Sequence, residues 1–267
     1  MNSTAFCSLN KKENEKNIAP VLDIRNQCRD KKVVIVGDIH GCYDELDELL
    51  DTVNWSPQKY VTILIGDLVD RGPKIKETLQ FAMHTPNVHS LMSNHEWKLL
   101  RYLNGHKVKE QTLAKTIKQC GESFLRNPLF FDWLQSLPYI VRWDNDSYAV
   151  HAGIRPDRPI NQQNKDHCIY IRTWNTKTGI ISNEGIDPWW FEYPYLSNNR
   201  PYQHHRQIRI FFGHQRHDKA WVSQWACALD GGVVFGGTLR AYVQERGIVE
   251  VKAKQVYETE QKVEKNM

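Results

Sequence analysis

The sequence predicts an α/β fold built as one large domain, and three observations support this prediction. The chain has 267 residues, 40% of them hydrophobic, which is enough to bury one sizeable core. Its first hundred residues alternate short β-rich runs with stretches of helical spacing. After a largely helical region, the second half turns to strand-like segments, without a linker that would mark a domain boundary.

The first half predicts parallel strands covered by helices. The β-rich runs lie at residues 33–37, 61–66 and 88–93. Helical spacing follows each run, at 46–53, 74–84 and 99–103, and residues 112–136 are largely helical as well. A β-α-β alternation of this kind places the strands in parallel, with the helices packed against the sheet.

The second half predicts mostly strands, and both ends of the chain are predicted to be tails. The strand-like segments are YIVRW, SYAVHAG, IRIFFGH, WACALDG and LRAYVQE, between residues 139 and 245. Residues 1–30 are polar without periodicity, and residues 251–267 are rich in charge. We therefore expect a domain at 31–250 between an N-terminal and a C-terminal tail.

Composition argues against several classes of protein. A net charge of +4 is too small to indicate a basic face, so no stable nucleic-acid partner is expected. The longest apolar runs are far shorter than the roughly 18 residues of a membrane span, and the N-terminus lacks the apolar centre of a secretory signal. We expect a cytoplasmic protein without a membrane partner. Its six cysteines form no CxxC pair, which predicts reduced thiols.

Polar residues follow three strands of the first half, at the point where each strand ends. Asp38 and His40 lie in GDIHG, Asp67 lies in GDLVDRGP, and Asn94 and His95 lie in SNHE. Ligands of open α/β sheets collect outside the carboxyl ends of the strands, so these residues should meet in one place. Two histidines of the second half follow apolar runs in the same way, namely His151 in AVHAGI and His214 in IFFGHQ.

This set of side chains suits a pair of divalent metal ions about 3.5 to 4 Å apart. Asp67 is the natural bridging ligand. The first site would use Asp38 and His40, and the second would use Asn94, His151 and His214. Such a mixed set fits Mn²⁺, Fe or Zn²⁺. The remaining histidines are interpreted as ordinary core or surface residues; they are 84, 89, 106, 167, 204, 205 and 217.

The same residues predict direct hydrolysis of a phosphate ester. A hydroxide that bridges two cations can attack phosphorus in line with the leaving oxygen, so no protein nucleophile is needed. His95 is placed to protonate the leaving group, and Asp70 can orient its ring. Arg71 and a second arginine would bind the non-bridging phosphate oxygens.

Together, GD-x-HG, GD-x-x-DRG, NHE, HAG and GH resemble the motifs of the phosphoprotein-phosphatase family of calcineurin-like metallophosphoesterases. The resemblance covers residues 33–245 and implies a two-sheet β sandwich flanked by helices in four αββα layers, with two metal ions, commonly Mn²⁺. Bacterial and phage serine/threonine phosphatases and diadenosine tetraphosphatases are the most similar members. The resemblance assigns Arg172 to phosphate binding, with Arg155 in reserve. Ser93 departs from the family, which usually has glycine there.

The resemblance leaves the substrate open. A protein serine/threonine phosphatase is preferred because Asp70 is retained, whereas symmetrically cleaving tetraphosphatases replace it. The alternative is a dinucleoside polyphosphate hydrolase, in which the aromatic segment 173–207 would contribute Trp189, Trp190 and Phe191 to stack on a purine. A nucleic-acid end phosphatase comes third, through the KLLRYLNGHKVK stretch. A catalytically silent binding protein is disfavoured by the complete ligand set.

Overall fold

The computed structural model describes residues 17–174, 181–182, 188–190 and 208–259, and its strands and helices are numbered here in chain order. The strands are β1 (Val21–Asp23), β2 (Lys32–Val36), β3 (Tyr60–Leu64), β4 (Val88–Ser90), β5 (Ile140–Arg142), β6 (Ser147–Val150), β7 (Thr173–Trp174), β8 (Ile181–Ser182), β9 (Arg209–Phe212), β10 (Trp221–Val222), β11 (Ala226–Ala228), β12 (Asp230–Gly231), β13 (Thr238–Val243) and β14 (Gly247–Lys252). The helices are α1 (Tyr43–Thr52), α2 (Ile75–His84), α3 (Asn94–Leu103), α4 (Ala114–Cys120), α5 (Glu122–Leu125), α6 (Pro128–Ser136) and α7 (Lys165–Tyr170).

Most of the strands form two mixed sheets. The first sheet runs in the order β12-β13-β2-β3-β4, with β14 also paired to β13. Its strands β2, β3 and β4 are parallel, as the β-α-β alternation predicts, and β13 is antiparallel to β2. The second sheet runs β1-β5-β6-β9-β11-β10, with β6, β9 and β11 parallel. A small ribbon pairs β7 with β8.

Alternation along the strands divides the interior into layers. One buried cluster lies between the two sheets and takes residues from both, including Val33, Ile35, Val61, Ile63, Ala149, Phe211 and Cys227. The intervening residues, such as Val34 and Val36, belong to a larger cluster that contains Leu46 and Leu49 of α1. Because successive strand residues point to opposite faces, one face of the first sheet packs on the other sheet and one on helices. The predicted two-sheet sandwich flanked by helices is confirmed.

The folded part extends beyond the predicted domain at both ends. Strand β1 lies within the region predicted as an N-terminal tail and pairs in parallel with β5. It has three exposed residues, so it shows no buried periodicity that a sequence could reveal. After β14, Ala253 N donates to Gly237 O at 2.9 Å, and the Tyr257 hydroxyl donates to Glu45 Oε1 at 2.7 Å. Residues 1–16, 260–267 and most of 173–207 lie outside the described residues.

Two further expectations concern thiols and membranes. The cysteines within the described ranges, Cys28, Cys42, Cys120, Cys168 and Cys227, are free thiols, as predicted. Burial raises the pKa of the Cys168 thiol well above its usual value, so this group stays protonated. In the described part of the chain, no helix is both long and apolar enough to cross a membrane.

Candidate active site

Loops after five strands bring the predicted polar residues to one cleft. These loops follow β2, β3 and β4 of the first sheet, and β6 and β9 of the second. A cavity of about 230 Å³ is lined by Asp38, His40, Asp67, Asn94, His95 and His214, together with Arg71 and Arg172. His151 is fully buried beneath them. The expectation that these residues meet in one place, at the carboxyl ends of the strands, is therefore met by their positions.

Tight turns hold these loops close to one another. Left-handed backbone conformations occur at His40, Asp67, Asp70, Arg71 and His214, with φ between 46° and 71°. Glycine allows the closest approaches: a Cβ at Gly213 would lie 1.9 Å from Asp38 Oδ1, and one at Gly72 would lie 1.9 Å from His40 O. Any larger residue at either position would push a site loop away.

Asp67 is the residue common to both groups of closely spaced potential ligands. One group joins it to His40 and His95, and the other joins it to Asp38 and His151, with all ligand atoms of a group within 4.8 Å. Its Oδ2 lies 3.3 Å from His40 Nε2, and its Oδ1 lies 3.5 Å from His151 Nε2. This position is the one that a bridging carboxylate needs.

Hydrogen bonds orient two of the histidine rings so that one ring nitrogen of each faces the cleft. His40 Nδ1 lies 2.9 Å from Val69 O, and His151 Nδ1 lies 3.2 Å from Ile65 O. Each Nδ1–H donates to a carbonyl, so each Nε2 presents a lone pair to the cleft. The Arg71 Nη1 group donates to the His40 lone pair at 2.7 Å, which shows that this nitrogen already faces a cation.

Around His151, acceptor atoms converge in a way that suits a metal ion. His151 Nε2 lies 2.8 Å from Asn94 Oδ1 and 3.2 Å from His214 Nδ1. Burial lowers the pKa of His151 to about 4 and that of His214 well below its usual value, so both rings are neutral near pH 7. Neutral imidazoles and an amide oxygen are suitable ligands for a divalent cation. The residues therefore fit the metal pair that the sequence predicts.

Crowded carboxylates reinforce this fit. Burial, and then the charges of Asp230 and Asp67, raise the pKa of Asp38 well above its usual value. Burial alone would also raise the pKa of Asp67, but the surrounding histidines hold that pKa well below its usual range, and His95 has the largest effect among them. Buried carboxylates this close together need a compensating positive charge, which divalent cations would supply.

Ser93 and Glu96 support Asp67 from below. The Ser93 Oγ lies 2.5 Å from Asp67 Oδ1 and 2.5 Å from Glu96 Oε2, and it accepts the N–H of His95 at 3.0 Å. The Glu96 carboxyl group accepts the N–H groups of residues 67–69 at 2.9 to 3.2 Å. Burial, and then the charge of Asp67, raise the pKa of Glu96 to about 7, while the hydrogen bond from Ser93 opposes that change.

His95 is the centre of a second network. Its Nδ1 lies 2.6 Å from Asp70 Oδ2, which also accepts from Lys98 Nζ at 2.5 Å. Thr116 Oγ1 donates to Asp70 Oδ1 at 2.7 Å, so the buried carboxylate is held from two sides. Burial lowers the pKa of His95, while the carboxylates of Asp67 and Asp70 oppose that change. The predicted pairing of Asp70 with His95 is present.

The three arginines predicted to bind phosphate occupy different environments. Arg71 lies over the Phe235 ring, 5.2 Å from its centroid, and Arg172 Nε lies 3.4 Å from His214 Nε2, so both line the cleft. Arg155 instead forms a bidentate pair with Asp157, at 2.9 and 2.8 Å, and does not line the cleft. The structure therefore brings together the first two arginines but not the reserve.

The aromatic residues predicted to stack on a purine are buried instead. Trp189 is 0% exposed and Trp190 is 2% exposed. The Trp189 Nε1–H donates to Ala152 O at 3.1 Å, and both rings pack against Phe212. Neither ring is available to a nucleobase, because large apolar rings gain more from burial in the core. Phe191 lies outside the described residues.

Sequence reasoning missed several residues that line or support the cleft. Glu96, Lys98 and Thr116 act through contacts between elements distant in the chain, which no local pattern reveals. Asp230 and Arg216 also line the cleft, and neither is among the predicted site residues. One signal was present: Ser93 and Glu96 have the S-x-x-E spacing of a helix capping box.

Two packed sheets that present Asp, His and Asn side chains from the ends of their strands, with arginines over them, define a metal-dependent hydrolase of phosphate esters. The model of the calcineurin-like phosphoesterase family matches residues 31–241, and the chain belongs to this family of metallophosphoesterases. Membership implies divalent metal binding, which agrees with the His and Asp cluster.

Similar proteins include tetraphosphatases. The asymmetrical bis(5'-nucleosyl)-tetraphosphatase of Halalkalibacterium halodurans is 28% identical over 236 residues, covering 78% of this chain and 87% of that protein. The symmetrical enzyme of Neisseria meningitidis is 37% identical over 125 residues, covering 45% of this chain and 43% of that protein. The chain thus matches less than half the length of that relative. A crystal structure assigned as a candidate diadenosine tetraphosphatase has a TM-score of 0.72 and 26% identity, covering 88% of this chain and 98% of that chain.

Proposed function

We propose that the protein hydrolyses dinucleoside polyphosphates with the help of two divalent metal ions. The observation that supports this most directly is a single cleft in which the Asp, His and Asn cluster meets Arg71 and Arg172. Guanidinium groups bind phosphate oxygens with good geometry. The similarity to a named tetraphosphatase along 78% of the chain favours this substrate, the alternative of the sequence analysis, over a phosphoprotein.

The metal ligands that we propose are those of the sequence analysis, namely Asp38, His40, Asp67, Asn94, His151 and His214. When bound, the cations supply an activated water and neutralise phosphate charge. Mn²⁺ is our first choice, and Fe and Zn²⁺ are chemically suitable as well. The protein contributes neutral imidazoles, the carboxylate of Asp67 shared between the two groups of ligands, and a Ser93 hydroxyl that fixes that carboxylate.

The other residues bind and orient the substrate. Arg71 and Arg172 hold the non-bridging oxygens of the scissile phosphate. His95 delivers a proton to the leaving oxygen when the leaving group is strongly basic, and Asp70 keeps the ring in place. The leaving group of a tetraphosphate is itself a phosphate, which is stable as an anion near neutral pH, so it needs little help from an acid.

A protein serine/threonine phosphatase is the second candidate, and the Asp70–His95 pair favours it. An alkoxide leaving group requires a proton, and this pair would provide it. In the sequence, the retained Asp70 also favours that function. The Lys98 ammonium group lies 2.5 Å from the Asp70 carboxylate and offsets its charge, so retention of Asp70 is weak evidence against a polyphosphate substrate.

Turnover with Mn²⁺ tests the proposal, comparing diadenosine tetraphosphate with a phosphoserine peptide. Asp67→Asn serves as the inactive blank, and Asp47→Asn, at an exposed carboxylate of α1, serves as the matched control. We expect the dinucleotide to be cleaved with the higher kcat/KM, and chromatography of the products identifies the scissile bond. Faster cleavage of the peptide would replace this proposal with the second candidate.

A further inference from the structure

A segment near the end of the described chain is bonded to a wall of the active-site cleft. This segment, residues 253–258, is called here the C-terminal strap. The wall turn, Val233–Phe235, lines the cleft. The backbone N–H groups of Tyr257 and Glu258 both donate to Val234 O, each at 3.0 Å. The strap therefore holds the wall turn through the backbone, although none of its own residues lines the cavity.

The other side of the strap is fastened to helix α1 by a buried carboxyl group. Glu45 is 0% exposed, and its Oε1 accepts the Tyr257 hydroxyl at 2.7 Å and the N–H of Lys254 at 2.9 Å. Leaving a buried acceptor without its donor is costly, so these bonds fix the strap firmly. Tyr257 contacts both elements, because its backbone N–H bonds the wall turn and its hydroxyl bonds α1.

The wall turn in turn supports a proposed phosphate-binding arginine. The ring of Phe235 faces the Arg71 guanidinium, whose Cζ lies 5.2 Å from the ring centroid, and such a contact favours one position of the cation. The backbone of the same arginine is tied to the strap through Lys115, whose Nζ donates to Arg71 O at 2.7 Å and to Tyr257 O at 3.4 Å. Both the side chain and the backbone of Arg71 therefore contact residues that bind the strap.

We propose that Tyr257 is a positioning residue, whose hydroxyl bond to Glu45 fixes the strap and, through the wall turn, the Arg71 guanidinium. The proposal rests on the role of Arg71 in the proposed function, but not on the choice between a dinucleotide and a phosphoprotein. One hydrogen bond corresponds to about 2- to 10-fold in affinity. Tyr257→Phe should therefore raise KM for p-nitrophenyl phosphate and Ki for orthophosphate by about that factor, with kcat nearly unchanged.

A second tyrosine provides the matched control. Tyr60 is 6% exposed on β3, its hydroxyl donates to Val53 O at 3.3 Å, and it does not line the cleft. Tyr257→Phe and Tyr60→Phe each remove one hydroxyl hydrogen bond, so urea unfolding should show a modest loss of stability for both. Only Tyr257→Phe should change KM and Ki in the Mn²⁺-loaded protein. Equal changes in the two variants, or none in Tyr257→Phe, would overturn the proposal.

A double-mutant cycle tests whether Tyr257 acts through Arg71. Arg71→Ala should weaken inhibition by orthophosphate, and adding Tyr257→Phe to it should cause no further loss, because the group being positioned is already absent. The same loss in both backgrounds would overturn the proposal while leaving the role of Arg71 intact. If Arg71→Ala alone leaves Ki unchanged, the role of Arg71 in the proposed function fails, and the positioning role fails with it. A preference of the wild type for a phosphopeptide over diadenosine tetraphosphate would overturn only the proposed substrate.

Discussion

Removal of the Ser93 hydroxyl should weaken metal binding although it leaves every proposed ligand intact. The hydroxyl lies 2.5 Å from Asp67 Oδ1 and 2.5 Å from Glu96 Oε2, and it caps helix α3 by accepting the N–H of His95. Ser93→Ala keeps the Cβ and removes all of these contacts. Asp67 would then lose the hydrogen bond that orients its Oδ1 atom.

Two magnitudes follow from these contacts. Loss of a hydrogen-bonding partner behind a metal ligand typically lowers metal affinity or activity by about 10- to 100-fold. Loss of the helix cap and of a hydrogen bond to a charged group should also lower the free energy of unfolding of the metal-free protein by about 2–4 kcal/mol. The substituted protein should therefore fold, but bind Mn²⁺ more weakly.

Calorimetric titration of Mn²⁺ into chelator-treated protein measures the affinity, and urea unfolding in the presence of a chelator measures the stability. Ser90→Ala is the matched control: Ser90 is 4% exposed on β4, and its Oγ has no hydrogen-bond partner among the described residues. That substitution should leave Mn²⁺ affinity unchanged. If Ser93→Ala binds Mn²⁺ within about twofold of the wild type, the proposed role of the hydroxyl in orienting Asp67 is refuted.

Three further predictions concern the acid, its support and pH. His95→Asn should reduce kcat by about 10²- to 10³-fold on alkyl phosphates and much less on p-nitrophenyl phosphate; equal losses on both would contradict an acid role. Lys98→Met leaves the buried Asp70 without its ammonium partner and should lower the free energy of unfolding by about 1–3 kcal/mol. Lys98→Arg should restore most of that loss. Urea unfolding measures both variants, and an unchanged stability of Lys98→Met would contradict the prediction. Burial, and then two nearby arginines, lower the pKa of His167 to about 4. Between pH 7 and pH 4 this histidine is therefore protonated in the unfolded chain but largely neutral in the folded protein. The free energy of unfolding should fall by about 1–2 kcal/mol as the pH drops from 7 to 4. His167→Gln should flatten that dependence, and an identical slope in urea unfolding would show that other groups cause it.

The meeting of the predicted site residues in one cleft was predictable from their places along the chain. Every proposed metal ligand follows a strand, and the carboxyl ends of strands in packed sheets converge, so the position of each polar cluster along the chain predicts where it lies in space. Strands β2 and β3 are buried at every residue except Lys32, and such continuous runs are typical of a sheet that is covered on both faces.

The features that sequence reasoning missed are short or depend on tertiary contacts. Strands β1, β10 and β12 have two or three residues, which is too few for any period to appear. The prediction that Trp189 and Trp190 stack on a purine was wrong, because both rings are buried. A sequence does not distinguish a tryptophan at the edge of a cleft from one in the core beneath it. Their apolar neighbours in three dimensions, such as Phe212, decide between the two.

The site loops contain strained residues, and side chains from other elements hold these loops in place. Left-handed conformations at non-glycine residues each cost about 1–3 kcal/mol unless surrounding contacts hold them. The described structure supplies such contacts from other elements: Glu96 binds the N–H groups of residues 67–69, and Asp38 accepts the N–H of His214 at 3.2 and 3.0 Å.

The loop that carries Asp70 and Arg71 is held in the same way. Thr116 Oγ1 accepts the N–H of Asp70 at 3.0 Å, and Lys115 Nζ donates to Arg71 O at 2.7 Å. Lys115 also binds Glu258, beyond the predicted end of the domain, at 2.7 Å. Because helix α4 and the C-terminal segment both hold this loop, the geometry of a proposed phosphate-binding arginine depends on residues that do not line the cleft. Mutations there should change KM for phosphate esters before they change the fold.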